Sequence, residues 1–109
     1  MSLGDGHCQS CEGGIATMDA VAARERLAEL SPEWRLEPDG RSIVRDFKFK
    51  DFYRTMGFVN AVAYIANRED HHPDLEVGYS RCRVRYTTHA IQGLSLNDFI
   101  CAAKIDRLA

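Results

Sequence analysis

The chain has 109 residues and carries 14 Lys+Arg against 16 Asp+Glu, a formal charge of −2 at neutral pH, which is the length of one domain. Hydrophobic residues make up 45% and charged residues 28%, the balance of an ordinary soluble globular domain, and this excludes intrinsic disorder. Without a positive excess a general nucleic-acid affinity is not expected, and no apolar run approaches the ~18–20 residues that span a bilayer.

Residues 1–15 are rich in Gly and polar side chains and are expected to form a flexible tail ahead of a domain at 16–109. The tail lacks the apolar core of a secretory signal, so a cytosolic location is expected. Its segment His7-Cys8-Gln9-Ser10-Cys11 holds a Cys-x-x-Cys pair. Three ligands at most fall short of a structural zinc site, and no strand precedes the pair as in a thioredoxin-type motif. Cys82 and Cys101 lie in apolar-patterned stretches and read as buried small hydrophobes.

The first helix opens at Thr17, a plausible N-cap, with Asp19 in its first turn. Ala20, Ala23, Leu27 and Leu30 share one face, and Pro32 stops the helix. Trp34 and Leu36 alternate with Arg35 and Glu37 as a short strand. Pro38-Asp39-Gly40 is turn chemistry. A second strand follows with Ile43, Arg45, Phe47 and Phe49 on one face, completing a hairpin. Asp51 caps the next helix, whose stripe is Phe52, Met56, Val59, Ala63 and Ala66, widened by Phe58, Val62 and Ile65. A helix apolar on two sides is usually covered on two sides, and the expected covers are the sheet and a partner subunit.

Leu75, Val77 and Tyr79 alternate, as do Cys82, Val84 and Tyr86, giving a second hairpin that turns near Ser80-Arg81. Ser95 and Asp98 form a capping box for a last helix with Leu96, Phe99, Ile100 and Ala103 on one face. The order α-β-β-α-β-β-α predicts an α+β fold, a four-stranded antiparallel sheet with helices packed on one face.

The chain holds four histidines, and two are adjacent, in Asn67-Arg68-Glu69-Asp70-His71-His72-Pro73. They sit where the second helix ends and the third strand begins, on a loop that Pro73 stiffens. His89 follows the fourth strand. If strands three and four pair, His89 comes close to His71 and His72, and three imidazoles line one pocket. Two chemistries fit them: a three-His metal site, which neighbouring histidines reach only if the backbone bends sharply, or general acid–base catalysis, since imidazole titrates near neutral pH. Asp98 can cap its helix and orient an imidazole.

These residues resemble the pterin-4a-carbinolamine dehydratase family. His71, His72, Pro73, Tyr79, His89 and Asp98 match its signature, and Trp34, Asp51-Phe52, Phe58-Val59-Asn60, Thr88-His89 and Gly93-Leu94-Ser95 look like the family too. The resemblance covers about Ala16 to Asp106. Asn67 departs from it, standing where the family usually has a charged residue, often Glu. Asn holds an imidazole by hydrogen bond but does not stabilise imidazolium by charge.

The resemblance implies the same fold, and homodimers or homotetramers. It implies dehydration of 4a-hydroxytetrahydropterin, a substrate rather than a cofactor, with no metal and no redox group, in the recycling that serves aromatic amino-acid hydroxylases. His71 and His89 are then the acid–base pair. His72 binds pterin, with Pro73 and Asn67 beside it. Asp98 fixes a tautomer, and Trp34 flanks the pocket or sits in the core. Two other classes remain at this stage. One is an interaction module of the dimerisation-cofactor or coactivator type, docking a partner on the sheet face with Arg83 and Arg85. The other is a zinc protein using the histidines.

Overall fold

A computed structural model describes residues 2–9 and 16–108; Cys11, half of the Cys-x-x-Cys pair, lies outside the described residues. Helix α1 spans Ala20–Leu27, α2 Phe52–Glu69 and α3 Leu96–Asp106; the strands are β1 Arg35–Leu36, β2 Ile43–Lys48, β3 Asp74–Val77 and β4 Arg81–Tyr86. The sheet order is β1-β2-β4-β3, antiparallel throughout. The two expected hairpins therefore join through β2 and β4, with Ile43 opposite Tyr86 and Phe47 opposite Cys82.

The inward face of the sheet carries Ile43, Phe47, Cys82, Val84 and Tyr86, which form one core with Ala23, Phe58, Val62, Phe99, Ala102 and Ile105 of the helices. Burying a side chain of the size of Phe99 or Ile105 contributes roughly 1.5–3 kcal/mol each. The outer face is a lattice of ion pairs. Arg83 Nε reaches Asp46 Oδ1 at 2.6 Å, Arg35 reaches Asp46 at 3.2 Å, and Arg85 reaches Glu37 at 3.1 Å. Val44 belongs to that face yet is fully buried. It lies in register between Arg35 and Arg85, whose aliphatic stems can cover it while their charged heads stay in water.

Several boundaries move for identifiable reasons. Asp19, not Thr17, caps α1, accepting from the Ala22 N–H at 2.8 Å. The Met18 N–H is donated to the Leu94 carbonyl, which holds that residue outside the helix. Asp51 caps α2 as expected, accepting from the Arg54 N–H at 2.9 Å. The buried face of α2 is Thr55, Phe58, Val62, Ala66 and Glu69, rather than the stripe from Phe52 to Ala63. Phe58 packs between Phe47 and Phe49, at centroid distances of 4.4 and 5.1 Å, and Thr55 Oγ1 donates to the Tyr79 carbonyl at 2.9 Å. These contacts turn Phe52 and Ala63 outward. Helix α3 is buried nearly all round, through Asn97, Asp98, Phe99, Ile100, Cys101, Ala102 and Ile105.

Part of that cover comes from residues 2–9, the described portion of the expected tail. Leu3–Asp5 form a 3₁₀ turn. The Gly4 carbonyl accepts from Lys104 Nζ and Arg107 Nη1, at 2.9 and 3.0 Å. Farther along, the Cys8 N–H is donated to Glu69 Oε1, and Gln9 exchanges two hydrogen bonds with the Asn97 amide.

Candidate active site

Helix α2 ends on Asp70, which takes the left-handed conformation at φ 50°, ψ 43°. Asp tolerates that region better than most residues. The turn lets the His71 N–H reach back to the Ala66 carbonyl at 3.1 Å and sends the two adjacent histidines different ways. His71 goes into the protein and is 6% exposed, whereas His72 stays on the surface. On the other side, β4 continues its alternation one step beyond Tyr86, so that Thr88 is buried and His89 emerges at the start of a 3₁₀ turn, His89–Ile91. Because β3 and β4 pair antiparallel, the two loops meet. They enclose a cleft of about 220 Å³ lined by Asp70, His71, His72, Thr87, Thr88, His89 and Ala90.

His71 is the most constrained of these groups. Its Nε2–H is donated to Asp98 Oδ1 at 2.6 Å, and its ring stacks on Tyr86, with centroids 5.6 Å apart and planes 10° apart. Burial pushes the Tyr86 phenol far above its usual range, so the platform under the imidazole is neutral. Asp98 is itself fully buried. Its second oxygen accepts from Thr88 Oγ1 at 2.8 Å and from the Ser95 N–H at 3.0 Å. The second of these bonds belongs to the capping box of α3. Ser95 Oγ lies 2.8 Å from Thr88 Oγ1 and completes the cluster. Burial works against the His71 imidazolium, but the hydrogen bond and charge of Asp98 outweigh it, and the His71 pKa is raised above 6.5. The same bond fixes the tautomer: neutral His71 keeps its proton on Nε2, leaving Nδ1 as the nitrogen that can exchange a proton with a ligand.

His72 Nε2 lies 3.2 Å from Oδ1 of Asn67, in the last turn of α2. An amide carbonyl only accepts, so His72 donates there. The Asn at this position thus keeps the orienting bond and drops the charge.

The cleft does not collect every residue expected in it. Trp34 is 3% exposed and belongs to the core. Its indole N–H goes to Asp106 Oδ1 at 2.7 Å and its ring meets the Phe47 edge, so it does not flank the pocket. Pro73 shapes the loop but is not part of the lining. Tyr79, matched to the family signature but not assigned to the pocket, stands at the β3–β4 turn, at the opposite end of the hairpin from the histidines, 69% exposed and stacked on Phe52. Asp98 has no free surface, so it acts on a ligand only through His71. Thr88, Ser95 and Tyr86 belong to the site without any motif that assigns them to it. Thr88 had a legible signal, because it continues the inward positions Cys82, Val84 and Tyr86 with a polar side chain. Among the described residues, no group of three or more His, Cys, Asp or Glu side chains is arranged to hold a metal ion.

The family model described as pterin 4 alpha carbinolamine dehydratase matches residues 16–108. The chain belongs to that family. It is 56% identical over 106 residues to a Legionella pneumophila (strain Corby) protein whose provisional name is pterin-4-alpha-carbinolamine dehydratase, a match covering 97% of this chain and 94% of that one. A protein of the same provisional name from Halorhodospira halophila is 50% identical over 108 residues, covering 99% of this chain and 98% of its own. Among solved structures, one described as a transcriptional coactivator/pterin dehydratase from Brucella melitensis aligns with TM-score 0.81 and 32% identity, over 86% of this chain and 99% of that one. A pterin dehydratase-like protein identified as a RuBisCO assembly factor in the alpha-carboxysome shares the fold, with TM-score 0.62 and 20% identity over 71% of this chain and 89% of that one. The family thus has the α+β architecture seen here, and no helix among the described residues is long and apolar enough to cross a membrane.

Proposed function

We propose that the chain dehydrates a pterin-4a-carbinolamine to the quinonoid dihydropterin by histidine acid–base catalysis, within a cycle that regenerates the tetrahydropterin of aromatic amino-acid hydroxylases. The observation that carries the reading is the cleft where His71, His72 and His89 meet, with the His71–Asp98 pair behind it.

The chemistry asks for what those residues offer. Hydroxide is a poor leaving group, so the C4a oxygen must be protonated as its bond to carbon breaks. The N5 lone pair drives it out as water, and the N5 proton must then be removed. One acid and one base, with no redox change, complete the step. His71 and His89 are the proposed pair, each worth ~10²–10⁴-fold by general catalysis. The raised pKa of His71 suits it to carry the proton near neutral pH. His72, held by Asn67, presents a polar edge to the pterin ring. Asp98 is a positioning residue that sets the His71 tautomer and supports its charge.

The test is the dehydration rate of a synthetic carbinolamine with His71→Ala, His72→Ala and His89→Ala. Large losses in the His71 and His89 variants, and a KM effect in His72→Ala, are expected. Near-normal rates in both of the first two would overturn the scheme.

A further inference from the structure

The catalytic reading leaves Cys8 and Cys101 unused, although their sulfurs face each other at 3.4 Å across 93 residues of chain. Neither position is accidental. Cys101 is fully buried on α3, one turn beyond Asp98. Cys8 is half-buried and pinned on both sides. Its own N–H is donated to Glu69 Oε1 at 2.8 Å, and the next residue, Gln9, gives its N–H to Asn97 Oδ1 at 2.9 Å and takes Asn97 Nδ2–H on its carbonyl at 2.8 Å. His7 Nδ1 adds a contact to Glu69 at 3.1 Å. The segment is thus bonded to the ends of two helices in a register that sets one sulfur on the other.

We propose that Cys8 and Cys101 are an oxidation site, closing under a peroxide to a disulfide that clasps the N-terminal segment onto α3. The inference does not rest on the dehydratase reading. The electrons balance in two steps. Cys8, the more accessible thiol, takes one oxygen from the peroxide to become a sulfenic acid, and the peroxide is reduced to water. The Cys101 sulfur then attacks the Cys8 sulfur, the S–O bond breaks, and the departing hydroxide leaves as water with the Cys101 proton. The sulfurs have to close from 3.4 Å to about 2.05 Å. Cys8, on an irregular segment, can make that movement while α3 stays in place. Cys101, fully buried, is the attacking sulfur because the peroxide meets the half-buried Cys8 first. The His71 charge nearby favours its thiolate.

Cys82 supplies an internal control, being fully buried on β4. The full chain, fully reduced, is treated with excess hydrogen peroxide, its remaining thiols are alkylated, and the linkage is mapped by mass spectrometry. The expected product lacks two hydrogens, carries a Cys8–Cys101 cross-link, leaves Cys82 free to alkylate after unfolding, and reverts with dithiothreitol. Because the bond closes a long loop, its melting temperature should rise, by about 10 °C. The Cys8→Ser variant, altered only on the N-terminal segment, should form no cross-link to Cys101. A Cys8–Cys11 bond, sulfinic acid at Cys8 without cross-linking, no loss of thiols, or a cross-linked protein that melts no higher would each overturn the proposal.

Discussion

His71 enters the cleft with one ring nitrogen already committed, and this decides how it responds to pH. Its folded pKa is raised, so its pairing with Asp98 stabilises the protein fully below the unfolded value near 6.5 and loses that contribution as pH rises through the folded value. Asp98→Asn removes the charge while keeping the shape. Burial is then opposed only by the smaller contributions of Cys101 and Asp70, and the His71 pKa falls. If protonated His71 is the acid, the alkaline limb of the pH–rate profile should move to lower pH in Asp98→Asn, with a rate loss of about 10²-fold at neutral pH. The stability gap between wild type and variant, read by urea titration, should be widest below pH 6.5 and narrow above it. An unmoved limb would mean that Asp98 only caps its helix. The histidines were readable as a group because two are adjacent and the third follows a strand that must return beside them. Their different fates were not readable: the left-handed Asp70 turns His71 inward and His72 outward, and no periodicity describes a single residue at positive φ.

At the scale of elements, the site hangs on the start of α3. The capping box that ends one loop also supplies the acceptor for His71, so helix initiation and imidazole orientation share one carboxylate. Ser95→Ala removes a capping hydroxyl and the partner of the buried Thr88 hydroxyl together. A loss of about 1–3 kcal/mol in chemical denaturation is expected, with a smaller rate effect than Asp98→Asn because the His71 bond survives. The capping box itself was legible as Ser95 followed by Asp98. The burial of α3 on nearly all sides was not, since part of its cover is the segment 2–9, where Gly and polar residues suggest a tail. Much of its attachment comes from backbone groups: the Gly4 carbonyl on Lys104 and Arg107, and the Cys8 N–H on Glu69. Such bonds leave no hydrophobic pattern behind.

At the scale of the molecule, α2 presents two faces. One is in the core. The other shows Phe52 at 49%, Tyr53 at 87% and Tyr64 at 63% exposure, and Tyr79 from the hairpin turn stacks on Phe52. Strand β3 is an edge strand, with no partner on its outer side among the described residues. The family resemblance implies dimers or tetramers, and this face is where we expect the copies to meet. Tyr53→Glu places a charge at its most exposed aromatic and should shift the mass measured by light scattering toward the monomer, leaving the melting of the core little changed. A wild-type chain that elutes as a monomer at all concentrations would remove the expectation. The outer sheet face, by contrast, has Arg83 and Arg85 engaged with Asp46, Glu37 and, more distantly, Glu76. Their charges are spent within the sheet, which weakens the case for a docking module there.

Taken by itself, the order of elements came from local rules that act over a few residues: alternation for strands, caps at Asp51 and Ser95, and turn chemistry at Pro38-Asp39-Gly40. The gathering of three histidines followed from one pairing of neighbouring strands. Tertiary structure decided what depends on a distant surface. It chose which face of α2 is buried, through Phe58 between two rings of another strand. It sent Trp34 to Asp106 in the core and stacked Tyr79 on Phe52. It also brought Cys8 to Cys101. In each case the partner lies too far along the chain for spacing to report it, because packing is settled by shape and hydrogen bonding between segments that meet only once the chain has folded.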